Sequence, residues 1–313
     1  MNTPAIASTD KMIALLKSRF GDKLIENQAL SEYTTFKIGG PARLFINCHD
    51  QSDLVDAVNL AHSHNYKYFI LGGGSNLLVS DKGFDGLIIH VAIQSLRTED
   101  DFILVDAGHD WEEYVDYCCA NGLAGVENMA GIKGSVGGAI YGNAGAFGCS
   151  ISDILLEAEI LRPGDSPRWE KNNYFAFSYR NSILKRTKEV VLRAKLKYEK
   201  SAPEKLISKK DEILALRDQR HPENDCSAGC FFKNIEKADE PYGKLAAGKL
   251  LEQVGAKDMQ VGGAQVFPKH ANILINSGTA SAEDVRKLAE ILKKRVKDEY
   301  GYDLEEEITY LGD

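Results

Sequence analysis

Two glycine-dense segments are the first places in this sequence where residue type and spacing could do chemistry. Leu71-Gly72-Gly73-Gly74-Ser75-Asn76-Leu77 sets three consecutive glycines between two short apolar runs. Glycine tolerates positive φ and has no Cβ, so such a turn can bring several backbone N–H groups close to an anion. It would serve equally well as a tight strand-to-strand turn. No GxGxxG opens a helix there, and no Gly-Lys-Ser/Thr follows, which excludes a Rossmann fingerprint and a P-loop. Residues 131–148 hold seven glycines interleaved with apolar residues, a pattern unlike a flexible linker. A glycine in a regular element costs roughly 0.5–1 kcal/mol, so this density points to close approach of backbone. A pyrophosphate and a flat ring system would need that approach. Two such loops facing one cleft could grip an extended dinucleotide at both ends.

Neither a metal site nor a disulfide framework has a signature in the sequence. Seven histidines form no HExxH or similar cluster, and six cysteines (Cys48, Cys118, Cys119, Cys149, Cys226, Cys230) show no CxxC or Cys/His zinc spacing. No metal is expected, and the cysteines read as reduced thiols.

The elements that must position these loops alternate between strand and helix. Residues 34–46 read as extended with a turn at Gly39-Gly40-Pro41, and Ser52 could cap a helix with Leu54, Val58 and Ala61 on one face. Short apolar strands follow at 68–71, 77–80 and 86–91, a β-α-β organisation. Residues 102–107 predict a strand, and Asp110 caps a helix over 111–120. Strands resume at 156–161 and at 190–198, the latter with clear alternation. Pro203 suits the first turn of a charged linking helix over 203–219. Beyond it the pattern predicts a helix over 244–254 stopped by Gly255 and a strand at 272–275. Ser281 and Asp284, at capping-box spacing, open a further helix, and a closing strand runs over 304–311.

The 313 residues suggest two or three compact units, and a 43% apolar, 27% charged composition is ordinary for a globular protein. A net charge of -8 disfavours a general nucleic-acid or anionic-membrane binder. No apolar run approaches the roughly 18 residues a membrane helix needs. Residues 1–10 carry no basic region followed by an apolar core, so a cytoplasmic protein is expected. Nothing suggests an obligate partner, and a monomer is expected.

Several blocks, in order along nearly the whole chain, resemble one family. They are Thr35-Phe36-Lys37-Ile38-Gly39-Gly40-Pro41-Ala42, the loop 71–76, the stretch from Gly125-Val126-Glu127 to Gly148, and Tyr179-Arg180-Asn181-Ser182. After these come Ser227-Ala228-Gly229-Cys230-Phe231-Phe232-Lys233-Asn234, Lys244-Leu245-Ala246-Ala247-Gly248 and Leu304-Glu305-Glu306-Glu307-Ile308. The set is similar to the UDP-N-acetylenolpyruvoylglucosamine reductase (MurB) family, flavoenzymes of bacterial peptidoglycan precursor synthesis. The strand over 190–198 runs almost directly into the linking helix, which resembles the shorter, type II members. The resemblance implies an α+β fold: a two-part FAD-binding region of the vanillyl-alcohol-oxidase-like (PCMH) type plus an α/β substrate-binding domain. The expected divisions are 1–93 and 94–218 for the two FAD-binding parts, 219–300 for the substrate domain, and 301–313 for a terminal strand carrying Glu307.

The same resemblance implies that FAD is held by Gly72, Gly73, Gly74, Ser75, Asn76 and Leu77 together with Gly131, Gly134, Ser135, Gly138, Asn143 and Gly145. Hydride would pass from NADPH through the flavin to the methylene carbon of UDP-N-acetylglucosamine enolpyruvate, with negative charge building on the adjacent carbon and its carboxylate. That chemistry needs a fixed cation, a hydrogen-bonding partner for the enolate and a proton donor. Arg180 matches the family's catalytic arginine, and a guanidinium pairs bidentately with a carboxylate and stays charged. Glu307 matches the catalytic glutamate, and strand alternation would send Glu305 and Glu307 to one face and Glu306 to the other. Cys230 stands where the family usually has serine as the proton donor, and a thiol is a stronger acid than an alcohol. Tyr179, Asn234, Tyr242, Lys244 and His270 are expected to meet the sugar nucleotide, although Tyr242 and His270 read equally well as surface polar residues. Lys133 replaces a common proline, with only a small change in loop rigidity expected. Two other readings remain open. One is an alcohol oxidase of the same fold, although those often tether FAD through a histidine and neither glycine loop has one. The other is a nucleotide-binding module that has lost catalysis, against which Arg180 and Glu307 both stand.

Overall fold

The computed structural model describes residues 3–222, 224, 226–240 and 243–312. Helices and strands are mixed throughout, so the α+β class expected from the sequence is the one observed. The chain divides into two units. One comprises residues up to Gln28, Ala42–Gly73 and Asp85–Ala215; the other comprises Ala29–Pro41, Gly74–Phe84 and everything from Leu216 onward.

The first unit contains two sheets. A four-stranded sheet runs in the order Leu24–Ala29, Pro41–Cys48, Phe84–Val91, Tyr68–Leu71, the last two parallel. A five-stranded antiparallel sheet runs Arg168–Lys171, Leu155–Leu161, Val190–Lys197, Phe102–Asp106, Leu96–Thr98. Its central strand, Val190–Lys197, buries Val190, Val191, Leu192, Ala194 and Leu196, the alternation legible in its sequence. Helix Trp111–Ala120 forms because Asp110 accepts from Glu112 N at 2.8 Å and Glu113 N at 3.0 Å. Its residues 111, 114, 115, 118 and 119 recur at helical spacing and are all buried. Trp111 and Tyr114 enter one continuous core with Leu44, Ile89, Val105 and Leu192. Helix Gln51–Ser63 is capped by Asp50, whose carboxylate accepts from Asp53 N at 2.8 Å. Ser52, the expected cap, therefore lies inside the first turn: the carboxylate two residues earlier is the one positioned to meet an orphan N–H.

The second unit is built around helix Ala282–Tyr300. The predicted capping box is present, with Asp284 N donating to Ser281 Oγ at 3.0 Å and Ser281 N to Asp284 Oδ2 at 3.1 Å. Gly301 closes the helix at φ +76°. Its buried face, Val285, Leu288, Ala289, Leu292 and Val296, packs with Phe231, Phe232, Ala264 and Leu274. Phe36, Ile38 and Leu78, from the two early segments, belong to this same core. A three-stranded antiparallel sheet (Gln260–Val261, Ala264–Val266, Leu274–Asn276) and a parallel pair (Thr309–Leu311 with Leu77–Val79) complete the unit. Two sequence expectations are adjusted here. The helix expected over 244–254 is Ala247–Gln253, preceded by a short strand Lys244–Leu245. The closing strand expected over 304–311 is regular only from Thr309, because the residues before it are paired through a single bridge, Phe232 with Glu306.

No helix among the described residues is long and apolar enough to cross a membrane. Among the same residues no three His, Cys, Asp or Glu side chains group as a metal site would require, and no disulfide joins any of the six cysteines.

Candidate active site

In the first unit the two glycine loops meet backbone to backbone. A Cβ placed on Gly73 would lie 2.6 Å from Gly134 Cα, and one on Gly72 would lie 2.6 Å from Ser135 Oγ. A side chain at Gly73 would require the other loop's backbone to shift, and one at Gly72 would displace the Ser135 hydroxyl. The segment 131–148 is itself ordered by ordinary local rules. Ser135 caps helix Val136–Gly142 by accepting from Gly138 N at 3.3 Å, and Asn143 ends it in the left-handed region at φ +47°. Trp111 N donates to Gly134 O at 2.9 Å and Gly137 N to Ala107 O at 2.8 Å. Some of the glycine requirement thus comes from the protein's own packing: a Cβ on Gly137 would meet Ala107 Cβ at 2.9 Å. Gly142 and Gly148 instead border open space. Gly131 has φ +72° and Gly134 φ +123°, conformations that favour glycine. Lys133 pairs with Glu112 at 2.9 Å.

Arg180 sits at the tip of a tight turn in the same unit. Ser178 and Asn181 exchange backbone hydrogen bonds, each 3.1 Å, and Arg180 between them has φ +54°. A non-glycine residue held in the left-handed region is uncommon and costs roughly 1–2 kcal/mol, so the surroundings must hold it there. They do so through several bonds. Arg180 Nη1 donates to Gly145 O at 3.0 Å, Lys185 Nζ donates to Arg180 O at 2.7 Å, and Ser182 Oγ donates to Tyr141 O at 2.7 Å. Asn143 links both features, donating to Ser178 O and accepting from Ser152 N, each at 3.0 Å. The Arg180 guanidinium carbon lies 5.6 Å from the Tyr179 ring centre. The arginine turn and the glycine segment are therefore one assembly, joining Gly145, Asn143, Tyr179 and Arg180.

The second unit brings together Asn76, Cys230 and Glu307. Gly74 takes φ +62°, and a Cβ there would fall 1.9 Å from Tyr33 O. Two residues on, Asn76 Nδ2 donates to Glu307 O at 3.1 Å, and Thr309 N donates to Asn76 O at 3.0 Å. Leu77 then opens the strand that pairs with Thr309. Glu307 N donates to Phe231 O at 2.8 Å, next to Cys230, which itself bridges to Ile273. The half-buried residues Cys230 and Glu307 are thus one position apart in backbone register, Glu307 opposite Phe231. Glu305 pairs with Lys233, and Glu306 lies 3.4 Å from Lys293.

Asn272 is the residue that sequence reading missed. It is 2% exposed, donates to Phe232 O at 2.8 Å and accepts from Phe232 N at 2.9 Å, while its carbonyl accepts from Phe231 N at 2.8 Å. A buried amide with both ends satisfied fixes the strand carrying Cys230. The available signal was a polar residue opening an apolar run, Asn272-Ile273-Leu274-Ile275. Thr35 Oγ1 adds a bond of 2.6 Å to Ser227 O on the approach to the thiol.

The expected substrate contacts divide. Asn234 Oδ1 accepts from Ala247 N at 3.1 Å, so it anchors the start of helix Ala247–Gln253. Lys244 is half-buried in a strand pairing with Glu236. His270 Nδ1 accepts from Asn272 N at 3.2 Å, and its ring centre is 6.0 Å from that of His221. Burial, with the Arg217 charge second, pushes His221 down to about 4; burial and the Arg220 charge also lower His270. Both shifts favour the neutral ring. Tyr242 lies outside the described residues.

Comparison with known proteins identifies the family. Residues 221–311 match the C-terminal domain of UDP-N-acetylenolpyruvoylglucosamine reductase, and residues 42–166 match an FAD binding domain. The chain is 35% identical over 307 residues to the UDP-N-acetylenolpyruvoylglucosamine reductase of Bacillus licheniformis, covering 97% of this chain and 99% of that one. It is 38% identical over 296 residues to that of Caldicellulosiruptor bescii, covering 94% and 92%. The crystal structure of the Thermus caldophilus reductase superposes with a TM-score of 0.77 at 31% identity, covering 92% of this chain and 98% of that one. The chain belongs to the UDP-N-acetylenolpyruvoylglucosamine reductase family of FAD-dependent oxidoreductases.

Proposed function

We propose that this chain reduces UDP-N-acetylglucosamine enolpyruvate to UDP-N-acetylmuramate in peptidoglycan precursor synthesis, working in the cytoplasm as a monomer with NADPH as the hydride source. The observation that supports the reading is the 2.8 Å bond from Glu307 N to Phe231 O, which brings the backbone of Glu307 next to the segment carrying Cys230. The family match extends over nearly the full chain at both positions.

The residues fit FAD. Gly72 and Gly73 pack against Gly134 and Ser135, so the two glycine loops are held together, and the backbone N–H groups of such loops can receive a pyrophosphate. By family position, Gly131, Gly138, Asn143 and Gly145, and likewise Gly74, Ser75, Asn76 and Leu77, are also FAD-binding residues. When bound, FAD supplies hydride transfer from the nicotinamide to the substrate's methylene carbon. The chain's own residues handle the charge and the proton. Arg180, permanently cationic, pairs with the enolpyruvyl carboxylate and stabilises the enolate that forms as the C=C electron pair moves to the adjacent carbon. Glu307, as the neutral acid, donates a hydrogen bond to that carboxylate. Cys230 Sγ–H gives its proton to the carbanionic carbon, forming the new C–H bond and leaving a thiolate that recovers a proton from solvent. Tyr179, Asn234, Tyr242, Lys244 and His270 contact the sugar nucleotide, with Lys244 suited to a phosphate.

Anaerobic addition of NADPH followed by the enolpyruvyl substrate tests this. The flavin spectrum should bleach and then recover. Cys230→Ala should leave bleaching intact and slow recovery by about 10²–10⁴-fold. Glu307→Gln should retain much of the recovery rate. Equal damage to both halves by Cys230→Ala would defeat the thiol's role.

A further inference from the structure

The polypeptide that carries Arg180 leaves the five-stranded sheet after Arg168–Lys171 and rejoins it at Val190. Between them it makes a 3-10 turn at Asn172–Phe175, the arginine turn, and a single helical turn at Leu184–Thr187. Three residues on this excursion hold positive φ: Ala176 at +43°, Arg180 at +54° and Lys188 at +60°. Chain with so many unfavourable conformations needs something to close its ends. The group at its base is Glu189, whose side chain is fully buried. One oxygen, Oε2, accepts from Tyr174 OH at 2.7 Å and Thr187 Oγ1 at 2.8 Å, one hydroxyl from each end of the excursion. The other, Oε1, accepts from Arg168 Nη2 at 2.7 Å, on an edge strand of the sheet, and from Arg162 Nε at 3.2 Å, just past the neighbouring strand.

We propose that Glu189 is a positioning residue for the reaction: by clamping Tyr174 to Thr187 it sets the turn that holds Arg180 in its left-handed conformation. The inference rests on the role given to Arg180 above. A buried carboxylate paired on both oxygens is costly to disturb, and here the pairing also fixes where a strained turn begins and ends. Four donors surround it, two charged and two hydroxyl, so the charge pairing and the clamp can be separated by mutation. Tyr174→Phe with Thr187→Val removes both clamp hydroxyls and leaves the arginine–Glu189 pairs, losing besides the 3.0 Å bond from Arg168 Nη2 to Tyr174 OH. Glu189→Gln does the reverse, since its amide can still accept from Arg168 and can donate to the two hydroxyls.

The test measures both half-reactions of the FAD-loaded enzyme anaerobically, together with its melting temperature. The Tyr174→Phe/Thr187→Val variant should oxidise NADPH at the wild-type rate but return hydride to the enolpyruvyl substrate about 10–10²-fold more slowly, as expected when a charged group is displaced by a fraction of an ångström. Glu189→Gln alone should keep most of the wild-type rate. A double variant that melts lower yet keeps both half-reactions would reduce the cluster to a structural brace and overturn the proposal. So would equal slowing of both halves. Arg180→Lys run in parallel separates the two ideas. If it leaves substrate reduction unchanged, the role of Arg180 falls. If it slows substrate reduction while the clamp variants do not, only the clamp falls.

Discussion

At the scale of single residues, the site conflicts with local stability. Arg180 occupies a left-handed conformation that glycine would adopt without strain. Arg180→Gly relieves roughly 1 kcal/mol of that strain. It also loses the bond to Gly145 O, a contribution of about 1 kcal/mol, so the melting temperature should barely move. Arg180→Ala keeps the strain, loses the bond and should melt lower. Both variants should lose substrate reduction by at least about 10³-fold if the guanidinium stabilises the enolate. A glycine variant that melts well below wild type yet still reduces substrate would identify a structural arginine. The identities of Arg180, Cys230 and Glu307 were legible because short blocks of sequence surround each. Asn272 was not, because what makes it important is two bonds to Phe232, forty positions upstream.

Elements were most legible where their causes are local. Asp110 and the Ser281–Asp284 pair announce helices within three residues of the first N–H they satisfy, and both helices are there. The stretch 304–308 misled because its alternation is that of a strand while its pairing is not: it bonds to Phe231 and Lys233, then changes partner to Leu77–Val79. Local pattern cannot report a change of partner. The Asp110 cap has a consequence beyond its helix, since Trp111 N, at the first helical position, donates to Gly134 O in the glycine segment. Asp110→Ala should lower stability by about 0.5–2 kcal/mol, a few degrees of melting for a unit of this size. It should also weaken retention of FAD on dilution, because the peptide at Gly134 loses its fixed donor. Unchanged flavin retention alongside the expected loss of stability would show that the cradle does not depend on this helix.

Over the whole chain, the unexpected feature is where the second core gets its residues. Sequence order suggests that the C-terminal region buries its own apolar face, yet Phe36, Ile38 and Leu78 belong to that core, and Phe36 is fully buried. Asn276 Nδ2 donates to Phe36 O at 3.1 Å, and Asp81 accepts from Ala282 N at 2.9 Å at the start of the long helix. Residues 240 and 201 positions apart are therefore coupled. Phe36→Ala removes a large buried ring and should cost about 3–5 kcal/mol, the usual range for such a cavity. The loss should fall on the second unit although the mutation lies among the first forty residues. Hydrogen exchange can locate it: amides of helix Ala282–Tyr300 should exchange faster, while those of the central strand Val190–Lys197, in the other core, keep their protection. Loss of protection in Val190–Lys197 with the helix unaffected would mean that Phe36 stabilises the cofactor-side unit instead. The contiguous fragment 216–313 should then fold alone, which a core lacking Phe36, Ile38 and Leu78 is not expected to do.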